Sequence, residues 1–332
     1  MEIERFAQLM VNLEGLTGEQ RREAKARLEV LEAHADSERL IRERLGTPVG
    51  CPHCAGTEVV RFGHANSRQR YRCKSCGRTF VALTGTPLMR LREPDKLLAY
   101  AACMSEGMTI RASARQVGLT VDRSFRWRHK FLSWIADQKP QGLTGLVEAD
   151  ETFFPKSYKG QRQEMPRPPR KRGGRRQVGS RSRDTGEEPV PDEPPVPVVV
   201  ALQRGTRLTH DAVLPGRDAA SLTVALRPAL GPDAVLSTDG NSTYGVAART
   251  LGIAADSFVA RYHGPGGHGV WHIQNVNAYH SRLKSWMDRF HGVATKYLDH
   301  YLGWRRLLDR YHDAVTGEQF LFHALRQAYI NI

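Results

Sequence analysis

From Gly142 onward the apolar residues switch between two spacings. GLVEADETFF interleaves Val147, Ala149 and Phe153 with Glu148, Asp150 and Thr152, the two-residue period of a β-strand. VPVVVALQRG reads as a buried strand, RLTHDAVL as its hairpin partner, DAASLTVALRPAL as a helix, and AVLSTDG as a strand that ends on Asp239. TYGVAARTLG is helical again and DSFVA is a short strand; from His272 to the end the pattern is helical, through NVNAYHSRLKSWMDRF and TKYLDHYLGWRRLL. Upstream, residues 93–135 are helical: Pro94 suits a first turn, and Leu97, Leu98, Ala101 and Ala102 fall on one side. TIRASARQVGLTVDRSFRWRHKFL predicts a helix from Thr109, a turn at Gly118–Leu119, and a second helix capped by Thr120. Ile110, Ala114, Val117, Leu119 and Phe125 would form the small core of this helix-turn-helix pattern, assigned to residues 90–138. Residues 1–46 form an N-terminal helical segment in which Thr17 and Gln20 make a capping box. It could pair with another subunit or pack on the next module.

Between the helical segments lies CPHCAGTEVVRFGHANSRQRYRCKSCGRTF. Cys51 and Cys54, then Cys73 and Cys76, form two CxxC pairs whose spacing suits one tetrahedral Zn²⁺ held by two tight knuckles. Short strands at Val59–Phe62 and Arg70–Arg72 make this a zinc ribbon over residues 47–86, a module small enough to need its metal to fold. His53 and His64 are near, but four thiolates complete the shell. Cys103, alone on an Ala-rich helix face, reads as a small buried residue.

A chain of 332 residues leaves room for roughly two or three domains. Its net charge of +14 changes the picture, because a surface of that sign suits a polyanion, nucleic acid first. From Arg162 to Arg183 there are nine Lys or Arg against one Glu. That run sits in a Pro- and Gly-rich insertion at 160–196 that is expected to be disordered. Its Arg170, Lys171, Arg172, Arg175 and Arg176 would track phosphates without reading bases. Asp122, Arg123, Arg126 and Arg128 would populate the second helix of the helix-turn-helix where it meets a major groove. No apolar run is long enough to span a bilayer, and MEIERFAQLM does not read as a signal peptide. Cysteines in CxxC pairs point to a reduced compartment, so a cytoplasmic, nucleoid-associated protein is expected. HGPGGHGVWH, His263 to His272, reads as a hinge and lacks the ending of a phosphate-binding loop, so no nucleotide cofactor is assigned.

The element order after Gly142 is strand with acid, long insertion, two strands, helix, strand with acid, helix, strand, long helix. It matches a ribonuclease-H-like α/β fold over residues 143–332, in which Asp150 and Asp239 become spatial neighbours. Two carboxylates there can share a pair of Mg²⁺ ions, which suits phosphodiester chemistry. The late helix offers Asn277 and Lys284, about two turns apart and so on one face, with His280 and Ser281 between them. Val276, Tyr279 and Leu283 mark its buried flank. Glu148, Glu151 and Asp288 remain as alternative acids.

The four-cysteine block through GRTF, VEADETFF, STDGNSTY and HIQNVNAYHSRLKSWMDRFHGVATKYLDHYLGWRR together resemble bacterial insertion-sequence transposases of the acidic-triad (DDE-type) class. The resemblance is to the group with a zinc ribbon and a helix-turn-helix, and within it to the branch with Asn in the third position and Lys seven residues on. It implies that Asp150, Asp239 and Asn277 hold two catalytic Mg²⁺ or Mn²⁺ ions, with Lys284 near the DNA phosphate. It implies too that the protein cuts the element's ends and joins the 3′ ends to target DNA, with double-stranded DNA as partner and a homo-oligomer assembled on it. An amide brings no charge, so Asn277 should hold the second metal loosely. Two rival readings are a metal-dependent nuclease that cuts without joining, and an inactive zinc-ribbon regulator.

Overall fold

A computed structural model describes residues 3–65, 68–161, 163, 194–257 and 270–325. Most of the insertion expected at 160–196 and most of the His263–His272 hinge lie outside these residues, and Val196 already belongs to a strand. The chain forms two compact units, Met1–Ile135 with His312–Ile332, and Ala136–Tyr311.

The first unit begins with α1 (Ile3–Glu14) and α2 (Gly18–Leu45). The capping box opens α2: Gln20 N–H donates to Thr17 Oγ1 at 3.2 Å, and Thr17 N–H to Gln20 Oε1 at 2.9 Å. Only the far end of α2 is buried, through Ser37, Leu40, Ile41 and Leu45. Strands β1 (Val59–Ala65), β2 (Arg68–Cys73) and β3 (Thr79–Val81) then form a small antiparallel sheet. Arg68 Nε donates to Glu38 Oε1 at 2.7 Å and so ties this sheet to α2. Next come α3 (Leu97–Ser105), α4 (Ile110–Val117) and α5 (Val121–Asp137). Thr109 caps α4 and Thr120 caps the first turn of α5. Gly118 between them sits at φ +64°, a left-handed conformation that costs glycine nothing. Ser124 of α5 donates to the Ile110 carbonyl of α4 at 3.0 Å.

The second unit is built on a five-stranded sheet of order β6-β5-β4-β7-β8. Its members are β4 (Leu143–Phe154), β5 (Val196–Gln203), β6 (Thr209–Val213), β7 (Leu230–Thr238) and β8 (Ala254–Ser257). Strands β4, β5 and β6 are antiparallel neighbours, whereas β7 and β8 run parallel to β4. On one face Val147, Ala149, Val199, Ala201 and Leu236 pack against α6 (Ala219–Leu226) and α7 (Ser242–Leu251), through Leu222, Leu226, Tyr244 and Ala247. The alternate residues of β4 and β5 face the other way, where α8 (Gln274–Asp288) packs on both strands. Val276, Tyr279 and Leu283 are fully buried there, as the sequence pattern requires. Helix α9 (Leu298–Arg310) braces α8. Trp286 meets Trp304 edge-on at 5.0 Å, and Arg282 Nε donates to buried Asp309 at 2.8 Å. Arg306 of α9 pairs in turn with fully buried Asp211 of β6.

The sequence places residues 312–332 with the catalytic domain. The structure instead returns α10 (Gly317–Ala324) to the first unit, against α3 and α2. A side chain at Gly317 would meet the Ala102 backbone and Cβ at 3.0 Å, so the two helices approach closely only because no Cβ intervenes. Gly317→Ala is expected to destabilise the first unit by about 1–3 kcal/mol, read from denaturant melts.

Candidate active site and zinc centre

The four cysteine sulfurs of the ribbon lie within 4.8 Å of one another. Cys51 to Cys76 is 3.6 Å and Cys54 to Cys73 is 3.7 Å between sulfurs. A tetrahedral zinc with bonds of about 2.3 Å sets sulfurs roughly 3.8 Å apart, so the cluster fits Zn²⁺. The N–H of Cys76, the strongest influence, helps draw the Cys73 thiol down to about 6, which favours a thiolate at neutral pH.

The acids come together through strand register. Glu148 of β4 lies beside Ser237 of β7 in parallel pairing, so two more residues bring Asp150 abreast of Asp239. Asp239, just past β7, is exposed; its Oδ1 accepts the Asn241 N–H at 3.0 Å, and Gly240 turns the chain at φ +88°. The Asn241 side chain then caps α7. Apolar strand, acid, glycine turn and capped helix therefore place the carboxylate at the rim of the sheet. Burial, and then the charge of Asp239, push the Asp150 carboxyl up to about 7, with Lys284 pulling the other way. The two sequence-predicted acids and the lysine are thus in one electrostatic neighbourhood. His280 Nδ1 sits 3.7 Å from Asp150 Oδ2. Burial, aided by Lys284, lowers this imidazole to about 4, so it is neutral at pH 7. Asn277 is exposed one turn ahead of His280, and Lys284 is exposed one turn after it. Beyond Lys284 a cleft of about 810 Å³ opens, walled by Phe153, Phe154 and Met287, with Asp288 at its edge.

The alternative acids go elsewhere. Glu151 points to the opposite face, where burial raises its carboxyl and Asp239 adds to the shift. Beside it, burial and the three acids push buried Tyr244 well above the ordinary range of a phenol. Glu148 is fully buried and accepts hydrogen bonds from the start of α8. Its role escaped the sequence reading, although its position two residues from Asp150 put it on the same face.

The arginines of α5 divide. Arg126 is exposed and pairs with Asp122 at 3.0 Å; Arg123 is partly exposed and pairs with Glu93. Arg128 corrects the sequence expectation. It is fully buried, and its guanidinium donates to the Met108 carbonyl at 2.6 Å and the Ser113 hydroxyl at 3.3 Å. It ties α5 to the residue just ahead of the α4 cap and to the middle of α4, and presents nothing to a groove. Arg170, Lys171, Arg172, Arg175 and Arg176 lie outside the described residues. No described helix is long and apolar enough to cross a membrane.

The chain thus joins a four-sulfur ribbon to a mixed sheet with two carboxylates at its rim, and comparisons with known proteins give the family. Residues 142–305 match the ISXO2-like transposase domain, and residues 34–79 match the transposase zinc-ribbon domain, a span that reaches back into α2. An uncharacterised protein in transposable element ISH50 of Halobacterium salinarum is 30% identical over 272 residues, covering 79% of this chain and 85% of that one. The chain belongs to the ISXO2-like transposase family.

Proposed function

We propose that this transposase cuts the ends of its element and joins the freed 3′ ends to target DNA, using Asp150, Asp239 and Asn277 as ligands for two divalent ions. The observation that carries the proposal is the electrostatic pairing of Asp150 and Asp239 at one sheet rim, beside a helix that offers Asn277 and Lys284. Two carboxylates and an amide are hard oxygen donors, which fits Mg²⁺ or Mn²⁺. When bound, such a metal pair activates the attacking oxygen and stabilises the leaving one. The chain's own residues do the rest. Lys284 supplies a cation to the scissile phosphate, and neutral His280 fills the space behind Asp150 without cancelling its charge. The sheet order, with acids on β4 and just after β7, supports the ribonuclease-H-like reading. The α4–α5 pair supports the helix-turn-helix reading, with Arg123 and Arg126 as its DNA contacts. Exposed ion pairs such as Arg126–Asp122 contribute little, so Arg126 can exchange a carboxylate for a phosphate at small cost.

Labelled element-end DNA tests the reaction. The unmodified protein is expected to give metal-dependent 3′ cleavage followed by a joined product, and Asp150→Ala to lose both while still binding DNA. Cleavage without joining would favour the nuclease; binding with neither would favour the regulator. Asn277→Glu adds a charge to the metal shell and is expected to lower the Mg²⁺ needed for half-maximal cleavage roughly tenfold. Superimposable Mg²⁺ titrations for the two proteins would remove Asn277 from the ligand set.

A further inference from the structure

Glu148 and Asp150 leave β4 on the same face, the one covered by α8, yet their surroundings differ. Glu148 is fully buried. Its oxygens accept the Asn275 N–H at 2.8 Å, the Val276 N–H at 3.0 Å and the Asn275 Nδ2 at 2.6 Å. Those backbone donors belong to the first turn of α8, where a helix cannot satisfy them internally. Ile273, at the cap position, offers no side-chain acceptor. A carboxylate from a neighbouring strand therefore does what a capping residue would do, and it faces the positive end of the helix dipole.

The carboxylate is itself held. Arg204, just past β5, approaches Glu148 Oε1 at 2.8 and 2.9 Å, and His272 Nδ1 lies 3.3 Å from it. Arg204 also donates to the carbonyls of Val270 at 2.6 Å and His272 at 3.1 Å. Ser237 of β7 donates to the same His272 carbonyl at 3.0 Å. One buried carboxylate thus fastens the entry of α8 to β4 and β5, with β7 joined through Ser237.

We infer that Glu148 is a positioning residue of the active site: it clamps the first turn of α8 to β4 and so sets the Asn277 amide against the Asp150 carboxylate. Asp150 lies two residues beyond Glu148 on the strand, and Asn277 two residues beyond Asn275 on the helix. The clamp is a short covalent and hydrogen-bonded path between the two, beside the His280–Asp150 contact one turn further along α8. Metal ligands must sit within about 0.2 Å of their proper distances, so a small slip of this turn is felt at the ions. General docking of α8 does not depend on the clamp. Trp286 against Trp304, Arg282 on Asp309, and the buried Val276, Tyr279 and Leu283 hold the body of the helix. The inference rests on the metal-ligand role proposed above for Asn277.

Glu148→Gln keeps the side chain's shape but turns one acceptor into a donor facing Asn275. End-DNA binding is expected to stay within about twofold of the unmodified protein, while the Mg²⁺ needed for half-maximal cleavage rises about 10–100-fold. Amide exchange at Asn275 to Asn277 is expected to accelerate about tenfold, with α9 unchanged. Asn275→Ala removes one bond from an exposed residue and should move the Mg²⁺ requirement about threefold in the same direction. An unshifted Mg²⁺ titration in Glu148→Gln overturns the inference, whether first-turn exchange is unchanged or the whole sheet exchanges faster. Failure of the metal-site reading looks different: Asp150→Asn would then keep cleaving, while exchange in the first turn would still report on the clamp.

Discussion

Asp150→Asn is expected to give a protein that is more stable and catalytically dead. With no divalent ion at the site, the Asp150 carboxyl titrates at about 7, because burial and Asp239 both oppose its charge. An unfolded chain releases that proton near an ordinary aspartate value of about 3.9. Between these limits the native state holds more protons than the unfolded state, so stability falls as pH rises through the window. Above pH 7 the penalty is fully developed, on the order of 2–4 kcal/mol. Asparagine removes it. In zinc-loaded protein without added Mg²⁺, the melting temperature of the variant should exceed that of the parent most at pH 8. The difference should shrink steadily as pH is lowered toward 4. His280 acts in the opposite sense: its depressed value means stability is lost as pH falls from about 6.5 toward 4, but both proteins carry it. If Asp150 holds metal as proposed, loss of its charge should cost cleavage roughly three orders of magnitude or more. Equal melting temperatures at pH 8, or a difference independent of pH, would show that burial and Asp239 do not oppose the Asp150 charge.

Cys73→Ser is expected to unfold the ribbon. The buried cluster of this module is Cys51, Tyr71, Cys73 and Phe80, with Val59 against it, so two of its four buried members are themselves metal ligands. So small a core cannot offset the conformational entropy of three strands, and zinc binding worth about 10–16 kcal/mol in comparable modules supplies the difference. Bound zinc should fall from one per chain to near zero, and amide protection in β1 to β3 should vanish. The sheet of the second unit, which shares none of these residues, should melt as before. A variant that still bound one zinc with a protected ribbon would show that three sulfurs suffice.

Much of this could be read from residues because local chemistry and local geometry coincide. The CxxC spacing needs only a knuckle to become half a tetrahedron. The buried flank of α8 follows from a 3.6-residue period, and the acid after β7 from a strand that meets a glycine turn. What could not be read depends on long-range packing. Arg128 carries the same charge as Arg126, and only the packing of α4 against α5 buries one and exposes the other. Glu148 and Asp150 are two acids of equal parity on one strand; which becomes an anchor depends on where the first turn of α8 lands. The apolar pattern of α10 announces a packed helix but not the core that receives it.

That last placement bears on how the molecule is made. Residues 136–311, the whole second unit, are threaded between two parts of the first. A ribosome that has passed residue 311 has released every strand of the α/β sheet, but not the helix that packs on α2 and α3. The unit bearing the ribbon and the α4–α5 pair is therefore completed only after the unit bearing Asp150 and Asp239 has been synthesised, the reverse of the usual order in which N-terminal units finish first.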